Sequence, residues 1–136
     1  MKISVVAALI ERDGRFLICQ RRSDDVFPLK WEFPGGKIHG GETPPQALVR
    51  ELEEELDVRA AIVPEVFRTE HTYTEPHREV ELMFFVADIS SQEPRNLAFE
   101  QIVWARRSQL SDYDFLEADR ELIARLAAGK LSLSPR

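Results

Sequence analysis

The chain opens with two runs of β-branched and aliphatic residues, ISVVAALIER and RFLICQRR, set on either side of Asp13-Gly14. Short apolar runs flanking an Asp-Gly pair predict two strands joined by a tight hairpin turn. VFPLKWEFPGGK follows, with two prolines and two adjacent glycines, and reads as a loop carrying a short strand. Thr43-Pro44-Pro45-Gln46 then announces a helix. Thr43 can serve as N-cap, Pro44 fills the first helical position where no N–H is needed, and Gln46 stands at the capping-box position. Leu48, Val49, Leu52 and Leu56 form an apolar stripe that carries this helix to about Leu56. VRAAIVPEVFRTEHTY and REVELMFFVADIS predict further strands, the second alternating and then continuously apolar, and QIVWARR predicts another. SQLSDYDF reads as a turn or short helix. In LEADRELIARLAAG the helical spacing of Leu116, Leu122, Ile123 and Leu126 predicts a last helix ending at Gly129. Strands, helix, strands, helix is the order of an α/β fold in which helices cover a mixed sheet. No repeat or linker divides it, so one domain over residues 1–130 and a frayed tail at 131–136 are expected.

One stretch of the first helix departs from ordinary patterning. Residues 50–56 read RELEEEL, with four glutamates in five positions, and like charges three and four apart destabilise an isolated helix. At ~100° per residue, Glu51, Glu54 and Glu55 share one face beside the apolar stripe, while Glu53 points to solvent. Carboxylates at the border of a core are partly desolvated and repel one another. Arg50, on the flank of Glu54, can neutralise one charge. The rest calls for a hard divalent cation such as Mg²⁺ or Mn²⁺, since clustered carboxylate oxygens suit these better than zinc. The alternative is a solvated, acid-rich helix face.

Composition narrows the setting. The chain has 136 residues, 43% apolar and 31% charged, enough for one ordinary core. A net charge of −6 offers no basic footprint for nucleic acid or an anionic membrane surface. A small anionic substrate then needs a metal ion or a few local arginines. A single cysteine, Cys19, excludes an intrachain disulfide and argues against a cysteine-based zinc site. The first apolar run is too short and wrongly flanked for a signal or a membrane span, so a soluble cytoplasmic protein is expected. His39, His71 and His77 are too scattered for a metal set.

Residues 36–58, GKIHGGETPPQALVRELEEELDV, resemble the Nudix box. That pattern is Gly, five residues, Glu, seven residues, then Arg-Glu-aliphatic-any-Glu-Glu-any-Gly-aliphatic. It is met here by Gly36, Glu42, Arg50, Glu51, Leu52, Glu54, Glu55 and Val58, with Asp57 in place of the late glycine. Six fixed matches at about one in fifteen each arise by chance on the order of once in ten million windows. WEFPGGKI and ETPPQALVREL are similar to the MutT branch in particular, and the similarity covers the chain to about residue 128. The resemblance implies an α/β/α sandwich with a mixed β-sheet between helices. It implies an Mg²⁺-dependent hydrolase that cleaves a nucleoside triphosphate to monophosphate and pyrophosphate, acting in nucleotide-pool sanitation on 8-oxo-dGTP or on CTP or a modified dCTP. By position, Glu51, Glu54, Glu55 and the Gly36 carbonyl would bind the metal. Arg50 would hold the glutamates, and Glu42 would support the loop or an outer-shell metal. Asp57 should tolerate the left-handed helix end at a small cost in stability.

The general base and the substrate contacts are less fixed by pattern. Glu54 is one candidate base. Glu100, the acid nearest before Trp104, is another, although the acid of MutT relatives aligns with Ala98, and a plain loop acid is the alternative reading. Among arginines, Arg22 matches a MutT-like substrate position, and Arg21 and Arg78 can hold phosphate or base or simply pair at the surface. Phe33, Phe84 and Trp31 can stack on a base or pack in the core. Asp119 matches the place where MutT proteins that remove oxidised guanine nucleotides carry Asn. An ionised Asp only accepts hydrogen bonds, which favours a base offering an amino group, such as cytosine, or the imino and amino edge of guanine. It disfavours a carbonyl unless the acid is protonated, and the alternative is a helix cap or an exposed acid. The other functions open to the chain are hydrolysis of ADP-ribose or a dinucleoside polyphosphate, and nucleotide binding without catalysis. The expected partner is a small nucleotide and neither nucleic acid nor membrane, on a monomer or homodimer.

Overall fold

The computed structural model describes residues 2–129. In chain order these form β1 (Lys2–Leu9), β2 (Glu11–Arg12), β3 (Arg15–Gln20), β4 (Trp31–Glu32), β5 (Gly35–Lys37), α1 (Pro44–Leu56), β6 (Ala61–Thr74), β7 (His77–Asp88), β8 (Gln101–Arg106) and α2 (Arg120–Ala127). Two 3-10 helices, Arg107–Asp112 and Glu117–Asp119, precede α2. The tail expected at 131–136 lies outside the described residues.

β1 runs parallel to β7 and antiparallel to β5, and β6 closes a mixed sheet in the order β5-β1-β7-β6. A second, antiparallel sheet is centred on β3, with β8 along one edge and β2 and β4 along the other. The two-residue period of the strands sorts their side chains into two cores. Leu9, Phe16, Ile18, Leu82 and Phe84 join Leu122 and Leu126 of α2 on one side. Val6, Ala8, Leu17, Met83 and Phe85 join Leu48, Leu52 and Leu56 of α1 on the other. Helix, sheet and helix are therefore stacked as an α/β/α sandwich.

Three local differences from the sequence pattern have physical causes. Asp13 and Gly14 are both left-handed, at φ 52° and 75°, as a two-residue hairpin turn requires. The hairpin nevertheless uses only β2, because β1 is buried on both faces and takes its partners from β5 and β7. β6 starts at Ala61 and slips register between Ile62 and Phe67, around Pro64, which has no N–H to give the ladder. The last helix starts at Arg120 and not near Leu116. Leu116 instead donates its N–H to the Trp31 carbonyl at 3.0 Å, which ties the segment before α2 to β4.

Candidate active site

Helix α1 is fixed at both ends by its own sequence. The Thr43 hydroxyl accepts the Gln46 N–H at 3.3 Å and the Gln46 side chain accepts the Thr43 N–H at 2.9 Å, completing the expected capping box. At the other end Asp57 is left-handed, φ 56° and ψ 42°, in the conformation its missing glycine would have taken. The exposed carbonyls there are met from outside: Arg95 donates its N–H to Leu56 at 2.8 Å and Leu97 to Glu55 at 3.0 Å.

Along the helix, Arg50 is the hub of the acidic cluster. Its Nε and Nη2 grip the two Glu42 oxygens at 2.7 and 3.0 Å. Its Nη1 reaches Glu51 at 2.9 Å and Glu54 at 3.1 Å, and Nη2 also donates to the Lys37 carbonyl at 3.0 Å. This grip, helped by the His39 N–H, holds the Glu42 carboxyl down at about 2. Burial pushes Glu51 upward against the pull of Arg50. Burial lifts Glu55 further, to about 9, with repulsion from Glu32 and Glu51 adding and the Gly35 N–H opposing. Glu54 is the most open of the three, its side chain 54% exposed against 15% for Glu51. Glu53 faces solvent, as the helical spacing predicts.

β5 lies against this cluster because it carries no side chains at two positions. A β-carbon on Gly36 would stand 2.4 Å from the Glu51 carboxyl carbon, and one on Gly35 would stand 2.0 Å from the Val6 carbonyl oxygen. The donor set is oxygen only, crowded and partly desolvated, and burial first, then repulsion from Glu32 and Glu51, disfavours charge on Glu55 when no cation is near. A hard divalent cation fits such a set. Among the described residues no three acidic, His or Cys side chains converge as a finished cage, since Arg50 spans Glu51 and Glu54.

From this cluster a cavity of about 390 Å³ crosses the face of the mixed sheet, with Gly36 and Glu55 at the β5 edge and Tyr73 and Asp119 near β6. Val5, Ala7, Phe33 and Leu82 supply apolar walls. Asp119 is 2% exposed, and its Oδ2 has no hydrogen-bond partner. Although it stands at the N-cap of α2, its side chain caps nothing. It is therefore neither the cap nor the exposed acid left open by the sequence. Burial first, then repulsion from Glu32, raises its pKa well above the usual carboxylate range, with Arg21 opposing. Burial thus disfavours the ionised, accept-only form, and a neutral carboxyl there would have one O–H to donate and one oxygen to accept, as in an amide. Its backbone is anchored next door, where the Tyr73 hydroxyl accepts the Ala118 N–H at 3.0 Å.

The other predicted residues divide. Phe33 and Arg78 line the cavity; Phe84 and Trp31 do not, and pack edge-on against Phe33 and Tyr113. Of the arginine pair it is Arg21 that reaches the cavity, while Arg22 is 59% exposed beside Asp24. Glu100 is exposed on the loop before β8 and lies outside the cavity wall, which that loop enters through Ala98 and Phe99. His39 stays on the loop, its N–H bonded to Glu42. Cys19 is buried, as its strand position predicts, and burial pushes its thiol up. Sequence reasoning missed Glu32 and Tyr73. The signal for Glu32 was an acid enclosed by two aromatics, Trp31 and Phe33, beside the glycine pair.

The sequence model of the NUDIX domain matches residues 1–126. The chain is 34% identical over 128 residues to nucleoside triphosphatase NudI of Enterobacter sp. (strain 638), covering 86% of this chain and 91% of that one. It is 34% identical over 128 residues to the 8-oxo-dGTP diphosphatase of Escherichia coli (strain K12), covering 92% and 96%. A shorter stretch of 60 residues is 52% identical to the CTP pyrophosphohydrolase of the same strain, 44% of each chain. Among solved structures, the E. coli ORF135 protein superposes with a TM-score of 0.78 at 32% identity, covering 93% of this chain and 89% of that one. Among the described residues no helix is long and apolar enough to cross a membrane.

Proposed function

The chain belongs to the Nudix family and is a hydrolase of phosphorus-containing anhydrides, and we propose that it converts a nucleoside triphosphate to its monophosphate and pyrophosphate with Mg²⁺. One observation carries this reading: the same cavity holds the acid-bearing edge at Gly36 and Glu55 and the buried, unpartnered Asp119. A polyphosphate needs counter-charge and a base needs a flat apolar slot with a polar end, and this cavity offers both.

Glu51, Glu54, Glu55 and the Gly36 carbonyl would hold Mg²⁺, with Mn²⁺ as a substitute. When bound, the cation offsets phosphate charge and makes the attacking water more acidic. Arg50 keeps Glu51 and Glu54 aligned through its bonds to both and, through Glu42, ties the helix to the preceding loop. Glu54, the open carboxylate of the three, takes the proton of the attacking water, in preference to Glu100. The apolar walls exclude bulk water, and Phe33 and Arg78 bound the nucleoside.

The neutral Asp119 carboxyl presents a donor beside an acceptor. That edge complements guanine through its carbonyl and ring N–H, and cytosine through its ring nitrogen and amino group. Oxidised guanine and cytidine nucleotides are thus the proposed substrates, in the service of nucleotide-pool sanitation. Pyrophosphate release from 8-oxo-dGTP, dGTP, CTP and modified dCTP with Mg²⁺ tests this. Turnover of at least one with pyrophosphate as product is expected. Hydrolysis of ADP-ribose or dinucleoside polyphosphates with no triphosphate turned over would overturn it.

A further inference from the structure

Strand β6 is the long open edge of the mixed sheet. The opposite edge, β5, spans only Gly35–Lys37 and lies against Glu51 of α1. β6 runs from Ala61 to Thr74, and among the described residues only β7 hydrogen-bonds to its backbone. Every second residue of an edge strand directs its N–H and C=O outward, where they form a template for another strand.

The sequence of β6 divides this edge. Around Pro64 the register slips between Ile62 and Phe67, which makes that stretch a poor template. From Phe67 to Thr74 the pairing with β7 is unbroken, and FRTEHTYT holds no proline or glycine and is rich in β-branched and aromatic residues. Arg68 and Glu70 are exposed there, two positions apart and so on the same face.

That spacing is complementary to itself. With a second copy of β6 laid antiparallel and Thr69 opposite Thr69, each Arg68 stands opposite the other copy's Glu70 on one face. Moving the axis one residue either way sets Arg68 against Arg68 or Glu70 against Glu70, which is repulsive. Neither side chain is locked in place. Arg68 pairs with Glu65 at 2.6 Å and Glu81 at 3.8 Å, Glu70 pairs with Lys2, and the two side chains are 51% and 59% exposed. Exposed pairs of this kind contribute little, so exchanging them across an interface costs little. A two-fold axis normal to the sheet keeps each residue on its face, so the two four-stranded sheets run on as one.

We propose that β6 is a homodimer interface in which two copies of this chain pair antiparallel about Thr69, with Arg68 and Glu70 setting the register. A strand edge buries less than the roughly 1,200 Å² of a standard interface, so the association belongs in the micromolar range. Pairing also braces the strand whose Tyr73 hydroxyl accepts the Ala118 N–H beside Asp119.

Sedimentation equilibrium from about 1 μM to about 1 mM tests this, and the parent should pass from monomer to dimer within that range. Arg68→Glu places an acid opposite Glu70, and Glu70→Arg places a base opposite Arg68. Each single variant should raise the dimer Kd about ten-fold or more, since two attractive pairs become repulsive. An equimolar mixture of the two single variants again sets opposite charges at both places, and should form a heterodimer about as tightly as the parent dimerises. The doubly exchanged R68E/E70R chain should dimerise as well. A parent that stays monomeric to about 1 mM overturns the proposal without any variant. A dimer whose Kd neither single variant changes lies elsewhere on the surface and overturns it too, as does a mixture that gains no heterodimer.

Discussion

At Gly36 a β-carbon would meet the Glu51 carboxyl carbon at 2.4 Å and both carboxyl oxygens at 2.6 Å, so even a methyl group must displace that carboxylate. Gly36→Ala should therefore leave the fold in place, lower kcat/KM about 10- to 100-fold and raise the Mg²⁺ concentration needed for half-maximal rate. Initial rates over a Mg²⁺ titration check this, and an unchanged Mg²⁺ requirement would show that Glu51 does not ligate. The glycine, Arg50 and the three glutamates were legible in the sequence because one helix and one loop present them at fixed offsets. Arg21 was named but stayed open between substrate contact and surface pairing, and Glu32 and Tyr73 were not legible, because β4 and β6 bring them to the cavity from separate parts of the chain. For such residues the side-chain type alone does not separate a surface ion pair from a cavity wall. Asp119 was legible as a position but not as a buried group, since burial is a property of its neighbours.

Elements impose their own constraints on these residues. Helix α1 ends on a left-handed aspartate, a conformation that costs a residue with a β-carbon roughly 1 kcal/mol and costs glycine nothing. The Asp57 carboxylate recovers little by its exposed pairing with Arg95 at 3.2 Å. Asp57→Gly should thus stabilise the protein by about 0.5–1 kcal/mol, seen as a melting temperature raised by a few degrees at unchanged activity. A lower melting temperature would mean that the Arg95 contact outweighs the backbone strain. The short 3-10 helix Glu117–Asp119 has the opposite problem, because nothing within it fixes its position. Strand β6 does so, through the Tyr73 hydroxyl on the Ala118 N–H at 3.0 Å and His71 at 3.1 Å from Glu117. Tyr73→Phe strands a buried N–H and should cost about 1–3 kcal/mol by denaturant unfolding. It should also narrow the preference among bases, since Asp119 is carried on the next residue. Retained base preference would show that the turn holds Asp119 without β6.

For the whole molecule, the layered fold was legible from the order of strands and helices and from the family resemblance, and the two-residue period of β1, β3 and β7 then assigns each side chain to one of two cores. The division into two sheets was not, since no local pattern distinguishes a strand that pairs with its sequence neighbour from one inserted between β5 and β7. What the layers enclose has a consequence for stability. Folding buries Asp119, and Glu32 beside it is pushed up to about 7, by burial first, then by repulsion from Asp25 against the pull of Arg21. In the unfolded chain an aspartate ionises near pH 4, while burial in the folded protein raises Asp119 well above that. Over that interval the folded state binds more protons than the unfolded state, so stability falls as pH rises. The fall reaches at most about 1.4 kcal/mol per pH unit for each such group, and Glu32 adds a loss of the same sign up to about pH 7. Asp119→Asn keeps a donor and an acceptor in the cavity while removing one titration. In chelator, its advantage in melting temperature over the parent should be smallest near the unfolded aspartate's pH of about 4 and widen as pH rises above it. Parallel curves for the two proteins would mean that Asp119 is ionised in the folded chain, and the reading of a base by a neutral carboxyl would fall with it.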